Sequence, residues 1–168
     1  GHNSKLVRKG LAHLEWMVVR ETFENETASF WYKSPEQDTN GAAPRAQDIK
    51  TEIFLLPAAL PGEKEGSFTN TQRLLQWHDK IVDPPGDCRS DLWFMFHLGK
   101  RLKQLYADSH DPEDEPIKNL TWDYPTQGTQ DEPSANAVLR EINGYTWPER
   151  KQIEDFKDIL ATPARQRT

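Results

Sequence analysis

Two short, unbroken apolar runs constrain this chain more than any other feature. Trp16-Met17-Val18-Val19 gives way at once to Arg20-Glu21, and Ile53-Phe54-Leu55-Leu56 stops at Pro57. Runs this short and rich in β-formers read as strands covered on both faces, the kind found in parallel sheets, since a sheet with one wet face alternates apolar and polar residues. Pro57 cannot donate to a ladder and so marks the second strand's end. Ahead of the first run, Leu6, Val7, Leu11 and Leu14 recur at helical spacing over Ser4–Leu14, with Ser4 as N-cap. Helix followed by strand is half of an α/β unit, and both strands belong in one parallel sheet. Between them, about residues 33–51 form a polar insertion punctuated by Pro35, Gly41 and Pro44.

Beyond Pro57, the glycines and dense polar residues of Gly62–Arg73 predict a loop running into an irregular strand or hairpin. Pro84-Pro85-Gly86 breaks the chain, after which Ser90 caps a helix carrying Leu92, Met95, Phe96, Leu98, Leu102 and Leu105. Five carboxylates and Pro112 make Asp108–Glu115 a solvated loop. Ser134 caps a further helix through Val138, Leu139 and Ile142 that ends at Gly144, and Thr146-Trp147-Pro148-Glu149 has capping-box spacing ahead of a last apolar pattern.

Composition narrows the chemistry. Lys and Arg number 21 against 27 Asp and Glu, a net charge of -6, which disfavours a nucleic-acid backbone as partner. No apolar run approaches the roughly 20 residues that span a bilayer, and the first residues lack the basic and apolar regions of a signal peptide. Cys88 is the single cysteine, so no internal disulfide and no multi-thiolate cluster is built from this sequence. It lies between Asp87 and Arg89, charges of both signs that leave it a passive thiol. The five histidines show no ligand spacing, and no phosphate-loop signature occurs. What remains is Arg20-Glu21 at a strand's carboxyl end, where open α/β sheets bind ligands. An acidic side chain there accepts from ribose hydroxyls or a guanine edge, Gly1 permits close backbone approach, and the Asn3 amide donates and accepts at once. A nucleotide site and a charged strand terminus both fit that spacing.

Several blocks in order carry a resemblance. Gly1-His2-Asn3-Ser4, Val18 to Trp31, Ile53 to Ala59, Glu63-Lys64-Glu65-Gly66-Ser67-Phe68-Thr69-Asn70-Thr71-Gln72-Arg73, Pro84 to Trp93, Leu120 to Pro125, Glu132-Pro133-Ser134-Ala135 and Leu139 to Tyr145 resemble the catalytic subunit of molybdenum- or tungsten-dependent formate dehydrogenases. The Glu-Lys-Glu-Gly block belongs to the wider molybdopterin oxidoreductases; the Thr-Trp-Asp-Tyr-Pro and Glu-Ile-Asn-Gly-Tyr blocks look like the respiratory, periplasmic type. The likeness covers residues 1 to about 158.

The resemblance implies an internal fragment of a subunit that oxidises formate to carbon dioxide at a metal held by molybdopterin guanine dinucleotides. Residues 1–82 would be the second half of a partial Rossmann-like dinucleotide-binding domain with parallel strands, 83–160 a mainly helical extension, and 161–168 a disordered or aberrant tail. The cofactor contacts it implies are Gly1, Asn3, Arg20, Glu21, Lys64 and Asp91, with Lys64 offsetting anionic charge and the two acids accepting from ribose or guanine. Many relatives carry Asp where Glu21 stands. The resemblance places the catalytic and metal ligands and the iron–sulfur cluster outside this fragment, which would be inactive alone. Its partners would be the remainder of the subunit and an iron–sulfur electron-transfer subunit, in the periplasm, with no membrane insertion of its own. A non-catalytic pterin-binding or subunit-packing module is the alternative.

Overall fold

A computed structural model describes residues 3–33, 45–71 and 75–142. The chain divides into two compact units, the first from the residues up to Leu60 together with Pro84–Arg89, the second from Pro61–Asp83 and from Ser90 onward.

In the first unit, α1 (Ser4–Leu11) is capped by Asn3, whose Oδ1 accepts from the Leu6 N–H at 3.1 Å. The cap therefore sits one residue before Ser4, because asparagine serves at that position as well as serine does. The helix ends at Leu11, three residues short of Leu14, where the Ala12 N–H closes onto the Arg8 and Gly10 carbonyls. β1 (Trp16–Glu21) and β2 (Glu52–Pro57) pair in parallel, from Trp16 opposite Glu52 to Glu21 opposite Pro57. The Thr51 hydroxyl reaches the Leu11 and Leu14 carbonyls at 2.8 and 3.0 Å, tying the start of β2 to the end of the helix. The four-residue α2 (Glu26–Ser29), capped by Asn25, buries Ala28 and Ser29 and is followed by the buried Phe30. Where β2 ends, Arg89 runs parallel to Ala58: the Ala59 N–H donates to the Arg89 carbonyl at 2.9 Å, and the Ala58 N–H to the Glu21 carbonyl at 3.0 Å.

The parallel pairing is as read from the sequence; the burial is not. Of the eight residues in the two apolar runs only Val19 is buried, while Trp16 is 62% and Phe54 45% exposed. Two strands offer two faces and two edges, and among the described residues no further strand joins them. The described residues thus form a small parallel sheet within a mixed helix-and-strand fold. Of the polar insertion, the described part is a 3-10 turn at Ala46–Asp48 closed by an Arg45–Asp48 ion pair at 2.9 Å; residues 34–44 lie outside the described residues.

The second unit opens with an antiparallel hairpin, β3 (Gly66–Thr69) and β4 (Leu75–His78). α3 (Asp91–Leu105) follows, with Ser90 as its cap. The stretch read as a solvated loop instead turns helical at Pro112–Asp114 and α4 (Glu115–Lys118). Asp111 caps that turn, and carboxylates suit the positive end of a helix. A minimal hairpin, β5 (Thr126–Gln127) and β6 (Glu132–Pro133), precedes α5 (Ala135–Ile142). Its turn places Gly128 at φ 72° and Asp131 at φ 54°, the second being a conformation that aspartate tolerates better than most side chains. The core gathers Phe96 from α3, Pro133, and Ala135 and Leu139 from α5. Gly144, the apolar pattern expected after Thr146 and the tail 161–168 lie outside the described residues. Among the described residues no helix is long and apolar enough to cross a membrane.

Two helical glycines should respond oppositely to alanine. At Gly99, buried on α3, an added Cβ would stand 2.7 Å from Trp122 Cε3, whereas at Gly10 on α1 nothing lies within 4 Å. Overpacking costs about 1–3 kcal/mol and the helix-propensity gain is about 1 kcal/mol. Gly99→Ala should therefore lower stability and Gly10→Ala raise it by about 0.5–1 kcal/mol, as measured by denaturant midpoints. A stabilised Gly99→Ala chain would contradict the described packing.

Candidate functional site

In the second unit, the β3–β4 hairpin, the start of α3 and the face of α5 border a half-open cavity of about 640 Å3. Phe68, Trp77 and His78 line it from the hairpin, Leu139 from α5, and Lys64 and Asp91 bring opposite charges to it. The Phe68 and His78 rings stand 5.9 Å apart, neighbours across the hairpin. Lys64 Nζ meets Asp91 Oδ2 at 2.6 Å. The ammonium is the sheltered member, its side chain 23% exposed against 66% for the carboxylate. An ion pair this open to water is worth about 1 kcal/mol or less to stability. Its chemical interest is that a cation and an acceptor stand side by side against aromatic walls, a donor set that suits a planar heterocycle bearing an anionic group.

The start of α3 is held by three successive residues of the β5–β6 hairpin. The Trp93 indole donates to the Gln130 carbonyl at 2.5 Å, a His97 ring nitrogen lies 3.1 Å from the Asp131 carbonyl, and the Ser90 hydroxyl donates to the Glu132 carboxylate. Ser90 is 4% exposed, and its oxygen also accepts from the Trp93 N–H at 2.8 Å, so one hydroxyl both caps the helix and binds the hairpin. Burial pushes the Glu132 carboxyl above its usual range; the Ser90 bond and the nearby Lys80 and His97 offset part of that, and Glu65 adds to it. Further along, burial and a hydrogen bond to Glu141 push the Tyr124 hydroxyl up to about 12, which keeps it a donor at all ordinary pH.

Of the residues singled out from the sequence, Lys64 and Asp91 are brought together in this unit. Arg20 and Glu21 belong to the other unit, at the carboxyl end of β1 as expected. There an Arg20 Nη2–H donates to the Arg89 carbonyl at 3.0 Å, so the guanidinium stitches down the segment that crosses the strand end. Glu21 is half-buried, and among the described residues its carboxylate has no partner. Asn3 also lies in the first unit, its carbonyl oxygen engaged in capping α1. Gly1 lies outside the described residues. Sequence reasoning assigned nothing to the Phe68, Trp77 and His78 wall or to the Ser90–Glu132 bond. The alternation of aromatic and polar residues in the hairpin and the Glu-Pro-Ser-Ala block were the available signals. Among the described residues no group of three or more His, Cys, Asp or Glu is placed to hold a metal ion.

Residues 54–101 match the family described as molybdopterin oxidoreductase, a span that contains both Lys64 and Asp91. Over 88% of its length the chain is 35% identical to the major subunit of the nitrate-inducible formate dehydrogenase of Escherichia coli. It is 37% identical over 94% of its length to the formate dehydrogenase alpha subunit of Megalodesulfovibrio gigas, and 34% identical over 89% to the alpha subunit of formate dehydrogenase 2 (cytochrome c-553) of Nitratidesulfovibrio vulgaris. The chain spans only 13–14% of the length of these relatives. The resemblance to formate dehydrogenase catalytic subunits is borne out: the relatives are major or alpha subunits of formate dehydrogenases, and the matched molybdopterin oxidoreductase segment lies within the shared span.

Glu132 gives the site a pH signature. Because its folded pKa is raised, the folded chain takes up its proton more readily than the unfolded chain does. The stability it contributes is full below the unfolded glutamate pKa and is lost as pH rises through the folded value. Denaturant midpoints of the wild-type chain should fall over that window, and Glu132→Gln, which cannot ionise, should flatten the fall. An unchanged slope would show that Glu132 is not the group responsible.

Proposed function

We propose that this chain, a homologue of formate dehydrogenase major and alpha subunits, forms part of such a catalytic subunit and contributes contacts to a molybdopterin guanine dinucleotide. The observation that carries the reading is the Lys64–Asp91 pair beside the aromatic-walled cavity, inside the segment that matches the molybdopterin oxidoreductase family. The donor set fits the group: the Lys64 ammonium complements phosphate oxygens, and a carboxylate accepts two hydrogens at once from a guanine edge or from a ribose diol.

In this reading Lys64 binds and neutralises, and Asp91 both holds Lys64 in place before binding and accepts from the ligand afterwards. Phe68, Trp77 and His78 offer ring faces for stacking. Glu21, half-buried and unpartnered among the described residues, accepts hydroxyl or amino protons at the end of β1, where such ligands sit. Arg20 secures the strand end that presents it. When bound, the pterin-held metal supplies the redox chemistry by which formate yields carbon dioxide, a proton and two electrons. In the complete enzyme, the metal's protein ligand and an iron–sulfur cluster would come from sequence outside this chain, and a periplasmic location follows the subfamily likeness. A packing role is compatible with the same reading: the uncovered apolar residues of β1 and β2 suit contact with the rest of such a subunit.

The test is made in the complete subunit. Lys64→Ala, Asp91→Ala and Glu21→Ala should each lower pterin and metal content per subunit while turnover per bound metal stays near the wild-type value, because binding away from the reacting atoms is similar in ground and transition states. A hydrogen bond to a charged group at a partly exposed site is worth about 1.5 kcal/mol, or roughly tenfold in retention. Full cofactor content with collapsed turnover per metal would instead make the substituted residue part of the catalytic machinery.

A further inference from the structure

We propose that Glu132 is a positioning residue for the Lys64–Asp91 pair: through the Ser90 hydroxyl it fixes the first turn of α3, and with it the Asp91 carboxylate that Lys64 meets. Serine has a single hydroxyl proton, and here it goes to Glu132 while the same oxygen accepts from the Trp93 N–H. Giving the proton to Glu132 locks the hydroxyl rotor with a lone pair toward the helix, so that the cap and the hairpin contact are one arrangement. Asp91 follows Ser90 directly and is the first residue of α3. A cap that turns away releases that residue first, since the initial turn has no upstream carbonyl partners of its own.

Two neighbouring contacts make the role separable from folding. The Trp93 indole on the Gln130 carbonyl and His97 beside the Asp131 carbonyl still attach the hairpin to α3 when the Glu132 carboxylate is removed. Loss of that carboxylate therefore loosens the cap while leaving the hairpin on the helix. A glutamine at 132 retains an oxygen that accepts from Ser90 and should preserve the arrangement. The biological consequence of the pair rests on the cofactor reading above, but its positioning can be read without the cofactor.

The experiment measures the acylation rate of individual lysines by an amine-reactive reagent, resolved by mass spectrometry, in the complete subunit purified without molybdopterin. Lys118, 25% exposed and paired with Glu115 at 2.6 Å, is the internal reference. Asp91→Ala should speed labelling of Lys64 several-fold without affecting Lys118. Glu132→Ala should do the same, Glu132→Gln should stay within about twofold of wild type, and Glu132→Ala combined with Asp91→Ala should label Lys64 no faster than Asp91→Ala alone. The proposal is overturned by unchanged Lys64 labelling in Glu132→Ala, by rate increases that multiply in the double variant, by Glu132→Gln behaving as Glu132→Ala, or by Lys118 rising in parallel, which would mean general loosening. If the labelling pattern holds while Lys64→Ala and Asp91→Ala keep full pterin content, the positioning stands and the cofactor reading falls.

Discussion

A parallel pair of strands cannot satisfy itself. Each strand in such a pair hydrogen-bonds along one edge only, and both faces are apolar because parallel sheets are normally packed between helices. β1 and β2 meet the first requirement along their shared edge and leave the second largely unmet, with Val19 buried and Trp16, Val18, Phe54 and Leu55 all substantially in contact with solvent. The first unit therefore draws its order from the few links that converge on the strand ends. Thr51 ties one end to α1, and at the other the Arg89 carbonyl receives both the Ala59 N–H and the Arg20 guanidinium. These links close the ends of the sheet without covering its faces.

The second unit solves the opposite problem. It has a compact apolar centre in Phe96, Pro133, Ala135 and Leu139, and its polar groups are arranged around that centre. Ser90 shows how economical the arrangement is, one side chain serving a helix N–H and a carboxylate together. The hairpin that supplies the carboxylate has only two residues in each strand, too few to persist by their own ladder. Its order comes from α3, and the start of α3 is ordered by it in turn. The Lys64–Asp91 pair sits at the edge of this mutual support, which gives a weak, water-exposed ion pair a defined geometry it would not have on an unsupported surface.

How much of this was legible follows the range of the interactions involved. The two strands and their parallel pairing were readable because apolar runs ended by charge or proline are local signals, and the Ser90 cap was readable because it immediately precedes an apolar stripe. The Asn3 cap was misplaced by one residue because asparagine and serine compete for the same role. β5 and β6 were not readable, since residues such as Gln130 and Glu132 carry no periodicity and are held by side chains 37 and 42 positions earlier, Trp93 and Ser90. The exposure of Trp16 and Phe54 was misjudged for a related reason: an apolar run announces what a strand needs, not whether neighbours are at hand to provide it. Lys64 and Asp91 were singled out by family resemblance rather than by spacing, and no sequence pattern pointed to their pairing across 27 residues.

The close approach of Trp122 to Gly99 has an optical consequence. Trp122 is half-buried against a helix in the second unit, whereas Trp16 stands in solvent in the first. Indole emission depends on the polarity and mobility of its surroundings, so these two chromophores differ in wavelength and in access to a dissolved quencher. With the other tryptophans replaced by phenylalanine, Trp16 and Trp122 would serve as built-in fluorescent reporters of different character, one in each unit, without attaching a dye.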